Sequence, residues 1–231
     1  MSLAGKGAVA IWHDIAPEGR ADFYAWHGEE HMPERLAIPG FLRGRRYRAL
    51  DADLEFFNLY ETADAAAVKS AEYKARVDNP TPWTLKAVRH FRSTARSLCS
   101  VEASFGGAQG GLCATWRYDV ADADAARHTR ALTQDLLPKA AALAGVAGLH
   151  FLRADAEASG RPTAEQTARG VANAVPQWII LLESWGDASA LAALCDTALV
   201  HGAMESIGAL ARPVRGLYQH QITRGRGDAG V

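Results

Sequence analysis

LEFFNLYETAD, residues 54–64, and QWIILLESWGD, residues 177–187, are the two stretches whose reading decides the fold. Each is an apolar, aromatic-rich run of strand length that ends in acidic residues and leads into a helix-forming segment. They lie 123 residues apart, and the likeness extends on both sides. AVAIW at 8–12 matches LCATW at 112–116, an offset of 104. Pro33 and Gly40 are seven apart, as are Pro138 and Gly145, and Arg48-Ala49 matches Arg153-Ala154. A constant offset within each block reads as one unit present twice. The offset grows inside DAEASGRPTAEQTARGVANAVP, 155–176, a polar stretch with Gly and Pro that reads as an enlarged hairpin loop.

Each copy carries the same order of elements. The first has strands over 8–14, 41–50, 54–61 and 89–99, with helices over 18–31 and 64–76, the second helix capped by Thr62 or Asp64. The second has strands over 112–118, 147–154, 177–185 and 213–223, with helices over 122–143 and 187–199. That order is βαββαβ, the ferredoxin-like unit. The expected fold is therefore α+β: two tandem ferredoxin-like units whose sheets pair into a pseudo-dimeric α/β barrel, which removes the open edges of a lone sheet. The boundaries are 1–103 for the first unit, 104–111 for a Gly-rich linker, and 112–231 for the second, degenerate unit.

Composition narrows the function. The 231 residues are 48% hydrophobic and 22% charged, with a net charge of -1 and no long block of one sign. That argues against a nucleic-acid partner. The densest basic cluster, Arg43, Arg45, Arg46 and Arg48, reads as a solvated strand edge or an anion contact. Cys99, Cys113 and Cys195 fit no zinc spacing and read as buried thiols. No apolar run reaches the length of a membrane span, and no signal-peptide core is present, so the expectation is cytoplasmic.

The polar chemistry concentrates in AWHGEEHMPERLAIPGF, 25–41. At 100° per residue, Phe23, Trp26, His27 and Glu30 share one helix face, with His31 at its margin. Pro33 is expected to end that helix just past His31. HGEEH also fits the H-x-x-E-H zinc pattern, with Glu102 or His13 as a further ligand, but the match is short. Strand parity groups Val9, Ile11 and His13 against Ala8, Ala10 and Trp12, and Phe56, Asn58 and Tyr60 against Phe57, Leu59 and Glu61. Which set faces the helices is left open.

FYAWHGEEHMPERLAIPGFLRGRRY, 23–47, resembles the helix-to-strand segment of the dimeric α/β-barrel superfamily, closest in style to its EthD-like group. The matching positions are His31, Pro33, Pro39 and Gly40. The resemblance implies a pocket between sheet and helices within one half, with His31 as the polar residue at the helix end. The second copy departs from the pattern, with Leu136 for His31 and Ala144 for Pro39, so the first half is expected to carry the site and the second to act as scaffold.

The expected function is a small-molecule enzyme of isomerase, cyclase, lyase or cofactor-free oxygenase type, acting on an apolar or aromatic carbonyl compound by general acid–base chemistry. The catalytic candidates are His31, His27 and Glu30. The substrate-binding candidates are Trp26, Phe23, His13, Asn58 and Tyr60. The alternatives are a non-catalytic ligand-binding module, and a haem enzyme ligated by His27, His31 or His201. No resident cofactor or metal is expected, with haem or a divalent metal left open. The expected partner is a small-molecule ligand, with a homodimer as a further option.

Overall fold

Eight strands close into one antiparallel barrel. They are β1 (Gly7–Ile15), β2 (Phe41–Asp51), β3 (Phe56–Thr62), β4 (Phe91–Gly106), β5 (Leu112–Tyr118), β6 (Val146–Ala154), β7 (Trp178–Ser184) and β8 (Val214–Gly225). The computed structural model describes residues 3–199 and 201–228. Around the barrel the order is β1-β3-β2-β8-β5-β7-β6-β4. Each half thus contributes a four-stranded block, β4-β1-β3-β2 and β8-β5-β7-β6. The β2–β8 and β4–β6 pairings join the blocks and leave no free edge. β4 runs on through Gly106, so part of the expected 104–111 linker is strand. No helix among the described residues is long and apolar enough to cross a membrane.

Parity is decided by what each face meets. Ala8, Ala10, Trp12, Tyr47, Phe57, Leu59, Cys99, Ile179, Leu181 and Tyr218 fill the barrel interior. Val9, Tyr60 and Phe56 point outward, under the helices. His13 lies on that outer side, among Phe23, Phe56 and Phe91. The lumen also holds charge. Arg45 bonds Glu61 and Glu183 at 2.8 Å each, and His150 lies 3.3 Å from Glu183. Arg45, expected at a solvated edge or an anion contact, is instead buried at the centre of this network.

The strand pairings show where the sequence alignment of the two halves slips. Ile11 pairs with Asn58, and Trp116 with Ile180; Tyr47 pairs with Phe57, and Leu152 with Ile179. These shifts are 105 for β1 and β2 and 122 for β3. The β2 match holds, but the β1 match at 104 and the β3 match at 123 are each one residue out, and one residue reverses the face. Trp12 therefore fills the lumen while Trp116 lies in the core under the second half's helices. They are not counterparts.

The first helix does not stop at Pro33. It runs as α1 (Arg20–Trp26), a π turn (His27–His31) and α2 (Met32–Ala37). The amide of Met32 reaches back five residues to the carbonyl of His27. This wider turn displaces the carbonyl that the Pro33 ring would strike in a regular helix, so the chain stays helical. The second half repeats the device as α5 (Ala125–Ala131), a π turn (Leu132–Leu136) and α6 (Leu137–Ala141), which contains Pro138. Both helices turn into the next strand through a left-handed glycine, Gly40 at φ 86° and Gly145 at φ 94°.

The second helical segments differ more. After β3 the chain makes a turn held by Asp64, and α3 (Ala71–Asp78) starts only after its cap Ser70; α4 (Pro82–Ala87) follows. The expected start near 64 fails because the Asp64 carboxylate binds the amides of Ala66 and Ala67 in a turn. The enlarged 155–176 stretch is not a plain loop. It holds α7 (Ala156–Gly160), capped by Asp155, and α8 (Ala164–Arg169), capped by Thr163. α8 packs against α3 and α4 of the first half. In the second half α9 (Ala188–Ala198) is capped by Asp187, and α10 (His201–Ser206) follows it.

Candidate active site

Between the outer face of β1 and β3 and the α1–π–α2 helix lies a cavity of about 60 Å³, enough for roughly five waters. Val9, Ile11, Trp26, His27, His31, Arg35, Phe41, Asn58, Tyr60, Tyr73, Phe91, Thr94, Arg96, Glu165 and Arg169 are among its walls. The π turn presents both histidines to it. Their rings stack at 5.7 Å and 29°. π turns of this kind recur at functional sites.

The hydrogen bonds assign the histidine edges. The Arg46 guanidinium has only donors, so at 3.3 Å from His27 Nδ1 it must donate there. Nε2 of His27 then carries the proton and donates to Tyr60 Oη at 3.2 Å. That leaves the Tyr60 hydroxyl proton free for the cavity. His31 packs on Trp26 at 4.3 Å, and its Nδ1 is buried with no partner. Burial first, then the Arg35 charge, hold the His31 ring well below its ordinary pKa. Burial and the Arg46 charge do the same for His27. Both are neutral imidazoles at neutral pH.

The other expected residues divide. Trp26, Asn58 and Tyr60 line the cavity. His13 and Phe23 are fully buried behind the wall and do not line it. Asn58 donates to His13 Nε2 at 2.9 Å, leaving its own Oδ1 unpartnered. Burial is the main reason His13 is pushed down to about 3, so it stays neutral and acceptor-capable. Glu30 departs from expectation: its carboxylate accepts from Thr81 at 2.6 Å and Thr84 at 3.3 Å, and it pairs with neither histidine. The wider π turn sends it to the opposite side. Thr84 also accepts from the Trp26 indole at 3.1 Å, so Glu30 supports that wall from behind.

Sequence reasoning missed the cationic side of the cavity. Arg35 lies beyond Pro33, where no helix was expected, yet its helix brings it to the cavity beside His31. Its charge is paired with Glu165 of α8. Arg169, also from α8, bonds Asn173. Arg96 of β4 donates to the Tyr73 hydroxyl. The second half is thus more than a scaffold, since its 155–176 excursion closes the first-half cavity. The i, i+4 pair Glu165 and Arg169 was the available signal, obscured by reading the stretch as loop.

The zinc pattern lacks its ligands: no group of three or more His, Cys, Asp or Glu able to hold a metal ion occurs among the described residues. At the second half's equivalent positions, Leu132 and Leu136 replace the two histidines, and Ile180 and Leu182 replace Asn58 and Tyr60. Apolar side chains pack most of that side, around a buried His128 that bonds Tyr118. The side chain of His201 lies outside the described residues.

No family model and no curated protein matches the chain. Solved structures do. An anthrone oxidase-like protein superposes with a TM-score of 0.63 at 15% identity, covering 99% of this chain and 97% of that one. A provisionally named monooxygenase from Lactobacillus acidophilus gives 0.59 at 11%, covering 96% and 97%. A provisionally named chlorite dismutase gives 0.53 at 8%, covering 97% of each. These likenesses are of fold: the chain shares its α+β architecture with these structures over nearly its whole length. The particular chemistry rests on the site.

Proposed function

We propose that this chain is a small-molecule enzyme that removes a proton from an activated C–H of an aromatic carbonyl compound. His31 is the base. The observation that carries this reading is a buried, neutral imidazole with an unpartnered Nδ1, set in a cavity whose charged walls are mainly arginine. A neutral imidazole accepts a proton, and the enolate left behind is stabilised by hydrogen-bond donors already in place. The Tyr60 hydroxyl, held by His27, and the free Nη1 of Arg35 are those donors. Glu30 acts by fixing Thr84 and hence Trp26.

Cofactor-free oxygenation is the favoured branch. A carbanion of this kind reacts with O2, and conversion of CH2 to C=O with release of water balances with O2 as the sole oxidant. The fold shared with an anthrone oxidase-like protein supports choosing anthrones as first probes. The two halves further read as copies of one unit. The common strand registers, the twin π turns and the twin left-handed glycines support that reading. The EthD-like segment at 23–47 supports kinship with that group.

The test is deuterium exchange at the activated CH2 of anthrone in anaerobic D2O, followed by NMR. Exchange accelerated by the protein and lost in His31→Ala is the expected result. No acceleration, or full acceleration by His31→Ala, would sink the proposal. Admitting O2 then tests the oxygenase branch through oxygen uptake.

A further inference from the structure

The charged walls of the cavity do not balance. Arg35, Arg96 and Arg169 line it with a single carboxylate, Glu165. Glu165 is engaged by Arg35. Arg96 and Arg169 have no carboxylate partner among the described residues; one donates to the Tyr73 hydroxyl and the other to the Asn173 amide oxygen. Each amounts to a cation bound to a neutral group. Burial first, then the Arg96 charge, hold the Arg169 guanidinium below its ordinary pKa, and the charge of Glu165, already bonded to Arg35, offsets this only in part. Three polar atoms beside them are buried and unpartnered: Arg169 Nε, Arg35 Nη1 and Thr94 Oγ1. Thr94 and Arg35 are each only 4% exposed. Uncompensated charge and unmade hydrogen bonds in one enclosed place are costly unless something arrives to complete them.

We propose that this cavity binds a carboxylate, and that the substrate is an aromatic carbonyl compound bearing an acid group held by Arg96 and Arg169. The substrate class rests on the proposed chemistry; the anion site stands on the unbalanced arginines. A carboxylate has the acceptors to take Arg169 Nε and one Arg96 nitrogen together, and Thr94 Oγ1 can donate to it. The acid end then sits at the side of the cavity formed by β4 and α8, with the ring toward Trp26 and His31. The way in is visible. A larger cavity of about 520 Å³ lies alongside and shares only Tyr73 and Arg96 with the first. The Arg96–Tyr73 hydrogen bond stands between the two. A ligand that parts Arg96 from Tyr73 joins the two spaces, which makes room for rings that about 60 Å³ alone does not hold; a neutral ring compound opens it by bulk, and a carboxylate is favoured because it replaces the hydrogen bond that Arg96 gives up.

The experiment compares acids with their neutral amides on the full chain by calorimetry: benzoate against benzamide, 1-hydroxy-2-naphthoate against 1-hydroxy-2-naphthamide. At least one acid is expected to bind ten-fold or more tightly than its amide, with the advantage shrinking in high salt. Arg96→Gln and Arg169→Gln should abolish the advantage, and Arg169→Lys should keep part of it. Thermal melts identify any variant that fails to fold, and the wild-type acid–amide ratio does not depend on them. Equal binding of acid and amide, binding of neither, or a preference untouched in folded glutamine variants would overturn the proposal. His31→Ala should retain the preference. Binding needs no turnover, so failure of the proton-removal reading and failure of the anion site are read separately.

Discussion

Tyr60 Oη lies 3.2 Å from His27 Nε2, while Arg46 occupies the opposite ring nitrogen at 3.3 Å. The imidazole is saturated on both edges, so it orients Tyr60 and has no free edge for a ligand. Tyr60→Phe should keep the fold and lower turnover about 10²-fold, the usual loss for one oxyanion donor. Steady-state kinetics with anthrone checks this. An unchanged kcat would remove Tyr60 from the mechanism.

His31 is depressed well below 6.5 by burial and Arg35. The base form therefore persists far into acid. The kcat/KM profile should show no histidine limb between pH 6 and 8, since that profile reports the free enzyme. The same sign governs stability. The unfolded chain takes up protons on His13, His27 and His31 as pH falls through about 6.5, while the native chain does not. Stability contributed by these groups is present above that pH and lost below it. Denaturant titrations at pH 5 and pH 8 measure the difference.

Glu183 gives a second acid-sensitive element. Burial pushes its carboxyl up, but the His150 hydrogen bond and the Arg45 charge outweigh it and hold the group at about 2. Its contribution is full above the ordinary carboxylate range and vanishes as pH falls from about 4.5 toward 2. Glu183→Gln leaves Arg45 short of a partner in the lumen and should cost roughly 3–5 kcal/mol. Chemical denaturation reads it. A loss under 1 kcal/mol would mean that water or Glu61 takes over.

The left-handed glycines permit a paired comparison. A Cβ on Gly40 would come within 2.7 Å of the Ala67 Cβ, whereas one on Gly145 meets nothing nearer than 3.8 Å. Gly145→Ala should cost about 1–2 kcal/mol from backbone strain alone. Gly40→Ala should cost more, because Ala67 must also move. Equal melting shifts would show that the loop at Ala67 yields freely.

The sequence disclosed the strands, their order and the histidine pair, because side-chain alternation and helical spacing are local properties. It disclosed less wherever a contact joins distant segments. Trp12 and Trp116 look alike as letters, yet one fills the lumen and the other the helix side, since strand parity depends on a register that no local pattern fixes. Arg35 was hidden because the widened turn that tolerates Pro33 leaves no mark in composition. Glu165 and Arg169 were hidden because residues 155–176 acquire meaning only where they land, as when Glu165 meets Arg35, 130 positions away.

A barrel assembled from two identical chains shows the same pocket twice, and any change to one wall is imposed on both. Closure within a single polypeptide lifts that constraint: one side holds a polar cavity and the other is packed mainly with apolar side chains, with α8 lent across the seam as a roof. Ligand should accordingly titrate at one equivalent per chain, along a simple hyperbola with no communication between twin sites.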